Sequence, residues 1–309
     1  MSESIILHHR YTSPFSEKIR LLLGFVGISW QSVHAPFYPP RPAIDPLVGG
    51  YRKIPVAQLG ADIFCDSRII CDEISRLANR PELSPFNQLP TIASRIRRIE
   101  TEIFYACMAS SSPLGLLRMM RRLVPPRHWI GYIKDKKNIL ATNVIELPER
   151  DIAKGAWENF LNQLETELKS VEYLSGSSSP SLLDFTALQF IWFRVQMEGV
   201  NKFRKHNHLF QWYQKLLGIG HGDMYRIKTS DSLKSVEDHT PRRLVDEFLT
   251  SNFKGERVKI TPDDMMPVST RGTLVGENDH RWIISRTLKQ GNEVHVHFPK
   301  EGFCLEVVE

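Results

Sequence analysis

Cysteine is scarce in this sequence. Four occur in 309 residues, Cys65, Cys71, Cys107 and Cys304, and no two form a CxxC pair. That excludes a disulfide-stapled scaffold and points to a reducing, cytoplasmic setting. A membrane-spanning run is also missing. The most apolar stretch, Ser181 to Val195, carries Asp184 and Arg194. It falls short of the ~20 apolar residues that a bilayer requires. The stretch from Met1 to Ser13 has no basic region and no long apolar segment, so no secretory signal is expected. Strong charge of one sign is absent too. Forty Lys and Arg face 35 Asp and Glu, a net charge of +5. The excess is spread around Arg118, Arg121, Arg122, Arg127, Lys134, Lys136 and Lys137. Charge that diffuse excludes a dedicated nucleic-acid surface and reads as a solvated helix face. What is present is apolar material. Hydrophobic residues make up 41% of the chain, enough for the cores of two or three domains.

The first eighty residues alternate strand and helix signals. Ile5-Ile6-Leu7 has the character of a buried strand. Ser13-Pro14 reads as the cap and first position of a helix continued by Phe15, Ile19, Leu22, Leu23 and Val26. Trp30 to Val33 is a second strand, and the proline-rich stretch from Pro36 to Pro46 reads as irregular. Val56 to Leu59 and Asp62 to Phe64 form a hairpin across Gly60-Ala61. A helix resumes at Ser67, with Ile70, Ile74 and Leu77 on one face. Residues 81–89 read as a linker, and from about 90 to about 225 only helices are expected. Ser181-Leu182-Leu183-Asp184 has the spacing of a capping box. The helix after it is apolar nearly all round, which places it at the centre of a bundle. Beyond 226 the pattern changes. Thr240-Pro241 is expected to start a helix reaching Leu249. Five strand-like segments follow between Arg257 and Val308, suggesting a small all-β module, in the form of a barrel. The predicted fold class is therefore an α/β domain (1–80), an all-α bundle (90–225) and a small C-terminal all-β module (240–309).

Four motifs carry a resemblance. Tyr11-Thr12-Ser13-Pro14-Phe15-Ser16-Glu17-Lys18-Ile19-Arg20 resembles the start of a cytosolic glutathione transferase. Lys53-Ile54-Pro55-Val56 resembles the segment leading to that family's cis-proline. Phe64-Cys65-Asp66-Ser67-Arg68 resembles its acidic-residue–serine motif, and Ser181 to Ala187 its buried capping box. The four fall in the family's order over roughly residues 4–222. The Ser-Pro-Phe segment is most similar to the serine-type tau class and its omega relatives. The last ~85 residues have no counterpart in the usual two-domain layout.

The resemblance implies a thioredoxin-like first domain, a homodimer and a detoxifying activity. In that activity the glutathione thiolate is added to an apolar electrophile. Ser13 would be catalytic: a hydroxyl at a helix N-terminus can donate to the thiolate, and the helix dipole adds to it. Tyr11 is the alternative, since a phenol can make the same bond. Serine at both position 13 and position 16 excludes mixed-disulfide chemistry by this motif. Pro55, in the cis form, would let the backbone of Ile54 pair with the cysteinyl part of glutathione like an added strand. Asp66 and Ser67 would hold the γ-glutamyl end, although Asp-Ser is also an ordinary helix cap. Lys53, or else Arg41 or Arg52, would face the glycine carboxylate. Asp184 is expected to be structural. No metal, nucleic-acid or membrane partner is expected. His295, His297 and Cys304 supply too few ligands for zinc and read as one face of a half-exposed sheet. Two other functions stay open. One is a non-catalytic binding or scaffold protein working through residues 240–309. The other is a different glutathione-dependent reaction, such as peroxide reduction or isomerisation.

Overall fold

The computed structural model describes residues 4–142, 144–249 and 253–308. The strand β1 (Ile5–His9) is buried along its whole length. Its side chains alternate between two apolar cores, Ile5 and Leu7 into one and Ile6 into the other. Period-two alternation with both faces covered is what a central strand requires. β2 (Trp30–His34) lies parallel to β1 on one side, and β3 (Val56–Leu59) antiparallel on the other. β3 turns at Gly60, φ +56°, into β4 (Asp62–Cys65). α1 (Pro14–Val26) is capped by Ser13 and ends at Gly27 in the left-handed region. α3 (Ser67–Ala78) is capped by Asp66. The proline-rich stretch is not wholly irregular. A single helical turn, α2 (Asp45–Val48), closes it where Asp45 accepts from the Arg41 backbone at 2.7 Å.

The helical part opens with α4 (Pro90–Arg98). It passes through a wide π-turn (Ile99–Ile103) into α5 (Phe104–Ala109). α6 (Pro113–Leu123), α7 (Trp129–Ala141), α8 (Arg150–Glu167), α9 (Leu182–Glu198) and α10 (Asn207–Leu217) follow. α9 is buried nearly all round, as its composition dictates. The capping box is present, and Asp184 also accepts from Leu174 N at 2.9 Å and Trp212 Nε1 at 2.8 Å.

After α10 a short strand, β5 (Met224–Arg226), joins the outer edge of β2 in parallel. The next helix is α11 (Thr229–Glu237), not the expected helix over 240–249. Arg242 is instead tied to the first domain: its N–H and Nε both reach Asp62 Oδ2, at 3.0 and 3.1 Å, and its Nη1 reaches Glu73 at 2.8 Å, contacts that hold residues 241–245 in a non-helical path across β4 and α3. Only one tight turn, Asp246–Phe248, forms there. The five C-terminal strands do appear: β6 (Arg257–Pro262), β7 (Thr270–Glu277), β8 (Arg281–Thr287), β9 (Glu293–Pro299) and β10 (Phe303–Val307). They do not close into a barrel. β9 pairs in parallel with β4, Asp62 opposite His295 and Phe64 opposite His297. Among the described residues one ten-stranded sheet results, in the order β10-β6-β7-β8-β9-β4-β3-β1-β2-β5. Val296, Phe298, Val258 and Leu274 share a core with Ile6, Val56 and Ile63. An unpaired edge at β4 is thereby removed. Among the described residues no helix is long and apolar enough to cross a membrane.

Candidate functional site

The α1 cap places Ser13 at the mouth of a cavity of about 750 Å³. The Ser13 hydroxyl accepts from Ser16 N at 3.2 Å and faces the Ile54 carbonyl at 3.4 Å. The Ile54–Pro55 peptide is cis. Ser13, Lys53, Ile54, Pro55, Asp66 and Ser67 all line this one cavity. Tyr11 does not. Its ring stacks on His34 with centroids 5.4 Å apart, the Arg20 guanidinium lies over it, and it points outward at 43% exposure. The phenol thus lies outside the cavity, because the strand-to-helix turn sends residues 11 and 13 in different directions.

Asp66 sits at φ +79° and spends one oxygen on its own helix, accepting from Arg68 N at 2.9 Å and Arg68 Nε at 3.3 Å. Burial works to raise its carboxyl, but the Arg68 and Lys53 charges outweigh that and hold it below the usual carboxylate range. Ser67 is buried and accepts from Lys18 Nζ at 3.2 Å, so its own proton is left to donate. Lys18 is itself buried and reaches Glu100 Oε1 at 2.5 Å. Burial lowers the Lys18 ammonium, yet Glu100 more than compensates and keeps it charged. Glu100 comes from the π-turn between α4 and α5, 82 residues away. The sequence offers no signal for that pairing.

The basic candidates separate. Lys53 is ion-paired to Asp264, which belongs to the C-terminal part of the chain. Arg41 is buried and structural, held by Asp45 and by the Tyr51 and Arg52 carbonyls. Arg52 reaches Asp135 Oδ1 on α7 at 2.5 Å. The cavity wall also includes Asp263, Asp264, Met265 and Met266 after β6 and Glu301 before β10. These residues carry no recognisable motif, and only the folding of the C-terminal strands against β4 brings them here. The helices add apolar lining: Phe104, Met108, Met119, Ile139 and Phe193.

The histidine pair on β9 has a different part. His297 is buried and bonds Asp62 Oδ1 at 2.9 Å, while Cys304 lies on β10, four strands away. Among the described residues no three His, Cys, Asp or Glu side chains are grouped to hold a metal ion.

Residues 7–84 match the family model of the glutathione S-transferase N-terminal domain. The chain is similar to a GST-like protein from Pseudomonas syringae at 28% identity and a TM-score of 0.78, over 100% of both chains. The fold is glutathione-transferase-like. The matched span in that structure includes the C-terminal strands. Two more distant structures cover less of this chain. A glutathione S-transferase-I bound with lactoylglutathione covers 76% of it and 99% of its own length, at 18% identity and a TM-score of 0.48. A glutathione S-transferase from Rhodospirillum rubrum F11 covers 69% and 87%, at 15% identity and a TM-score of 0.49. No curated protein sequence matches the chain.

Proposed function

We propose that this protein is a glutathione transferase of the serine type. The observation that carries the reading is convergence. Ser13 at a helix N-terminus, the Ile54 backbone and the Asp66-Ser67 helix start line the same cavity as a set of apolar helix side chains. In this reading Ser67 donates to the γ-glutamyl carboxylate at the α3 N-terminus, and Asp66 accepts from its ammonium. The Ile54 backbone pairs with the cysteinyl residue. Ser13 turns its proton from the long Ile54 contact to the thiolate, and the dipole of α1 adds to it. The thiol proton leaves to solvent. The thiolate pair forms the C–S bond to the electrophile, and the displaced group departs with its bonding pair or the π-electrons move to the adjacent carbon. A homodimer and a cytoplasmic setting belong to the same reading; the four free cysteines support only the reducing compartment.

Calorimetric titration with reduced glutathione at two pH values, with conjugation assays across electrophiles, tests it. Saturable binding with proton release and enzymatic conjugation is expected. Neither appearing at millimolar glutathione would sink the proposal. A second reading, a binding protein on the same fold, is favoured by one observation: Asp264 already occupies Lys53. Glutathione binding without conjugation of any electrophile would select it.

A further inference from the structure

Charge is distributed unevenly around the cavity. Near Ser67 every cation has a carboxylate: Lys18 with Glu100, Lys53 with Asp264, Arg68 with Asp66 and Glu301, Arg97 with Glu301. Near Tyr132 the balance fails. Arg10, Arg41, Arg52, Lys136 and Lys137 all line this end. Arg41 is neutralised by Asp45, outside the cavity. The remaining four share one carboxylate, Asp135, which is committed to Arg52 at 2.5 Å and is 3.9 Å from Lys136. Arg10, just after β1, bonds only the Phe37 carbonyl, and among the described residues it has no ion-pair partner. The consequence is visible in the cations themselves. Burial first, then the Arg41 charge, pulls the Arg10 guanidinium down to about 10. Lys136 is pulled the same way, to about 8, by partial loss of water and then by the Arg10 charge, although 42% of its side chain stays exposed and solvent screens part of the effect. Uncompensated positive charge held in a pocket wall is costly, and an anion placed there relieves it. The apolar helix wall, with Met119, Met120 and Ile139, lines the same cavity.

We propose that the second substrate is an amphipathic anion, an apolar body carrying a carboxylate that Arg10 and Lys136 receive. This rests on the reading that glutathione occupies the Ser13–Ser67 wall of the same cavity. Guanidinium and ammonium bind carboxylates by charge-assisted hydrogen bonds, the guanidinium in a forked, oriented manner. The apolar body then lies against the helices, and the electrophilic carbon is carried toward Ser13.

A matched, unreactive pair decides it: biphenyl carboxylate and biphenyl carboxamide, titrated calorimetrically into the full-length protein with and without glutathione. The carboxylate is expected to bind at least about tenfold tighter than the amide. In the Arg10→Gln, Lys136→Gln double variant that advantage is expected to shrink below about threefold, with amide and glutathione affinities within about twofold of wild type. Lys136→Gln alone, on the half-exposed face of α7, covers the case in which the double variant does not fold. Equal binding of the pair by the wild-type protein, or an advantage that survives the substitutions, overturns the proposal. So does a glutathione affinity that collapses with them, since the cluster would then hold the tripeptide's own glycine carboxylate. Absence of glutathione binding in the wild-type protein overturns the transferase reading instead, while the carboxylate-to-amide ratio still decides the anion site.

Discussion

Lys53 is ion-paired to Asp264, a residue 211 positions later in the chain. The lysine precedes the cis Ile54–Pro55 peptide, and the aspartate follows β6. The C-terminal strands are therefore part of the cavity wall at the point where the sequence motif expects a free cation.

Asp264→Asn should tighten glutathione binding, because a carboxylate arriving near Lys53 no longer meets a fixed negative charge. Lys53→Gln should weaken it. Half-exposed ion pairs contribute about 0–1 kcal/mol, so the change is expected to be about fivefold at most in either direction. Calorimetry on both variants checks it, and an unchanged affinity in both would place the glycine carboxylate elsewhere.

Ser13→Ala should act twice. Losing the α1 cap costs roughly 1 kcal/mol of stability. Losing the donor to a charged sulfur costs about 1.5–3 kcal/mol, or roughly ten- to a hundredfold in conjugation rate near neutral pH. The deficit should shrink at high pH, where the thiol ionises unaided. A pH–rate profile separates this from a purely structural effect, which would lower the rate equally at every pH.

Asp184→Ala should destabilise the helical part without touching the cavity. It strips the Ser181, Leu174 and Trp212 N–H groups of their acceptor. Each buried donor left unmatched costs about 1–3 kcal/mol, so a loss of roughly 3 kcal/mol or more is expected in denaturant titration. A loss below about 1 kcal/mol would mean that water replaces the carboxylate.

Acid should weaken the fold from about pH 6.5 downward. Burial lowers His8, and with it His297, to about 4 from the ordinary 6.5. The unfolded chain therefore binds protons at these positions that the folded chain refuses. Stability is complete above about pH 6.5 and is lost as pH falls toward 4, by about 3 kcal/mol per histidine at most. Urea midpoints at a series of pH values measure the slope. In His297→Gln the slope should be shallower, and an unchanged slope would remove His297 from this account.

Truncation after residue 239 should not yield a folded protein. It uncovers the β4 edge and removes Val258, Leu274, Val296 and Phe298 from a core shared with Ile6, Val56 and Ile63. At roughly 1.5–3 kcal/mol per large apolar side chain, the loss approaches or exceeds the 5–15 kcal/mol that holds typical domains together. Aggregation or a molten spectrum is expected. A cooperative thermal transition in the soluble truncated chain would show instead that the β1–β4 half folds unaided.

The sequence by itself made much of the local structure legible, though not α2, β5 or α11. Ser-Pro starts α1, Gly60 turns the hairpin, Ser181 and Asp184 close a capping box, and turn residues such as Gln290-Gly291-Asn292 and Glu301-Gly302 separate C-terminal strands, because these signals operate within a few residues. It also put Ser13, Ile54, Pro55, Asp66 and Ser67 on one list, through motifs that are themselves local. Tertiary structure decided the rest. Whether the C-terminal strands closed on themselves or continued the first sheet depended on which edge β9 met, and β4 stood open. That choice drew Arg242 to Asp62 and Glu73 where a helix was expected, buried His297 against Asp62 and carried Asp264 to Lys53. Arg10, Asp135 and Lys136 likewise share a wall only because α7 packs over the loop that follows β2. Such pairings join residues tens to hundreds of positions apart. No periodicity or spacing encodes them, since their energy exists only once both partners have been brought out of water.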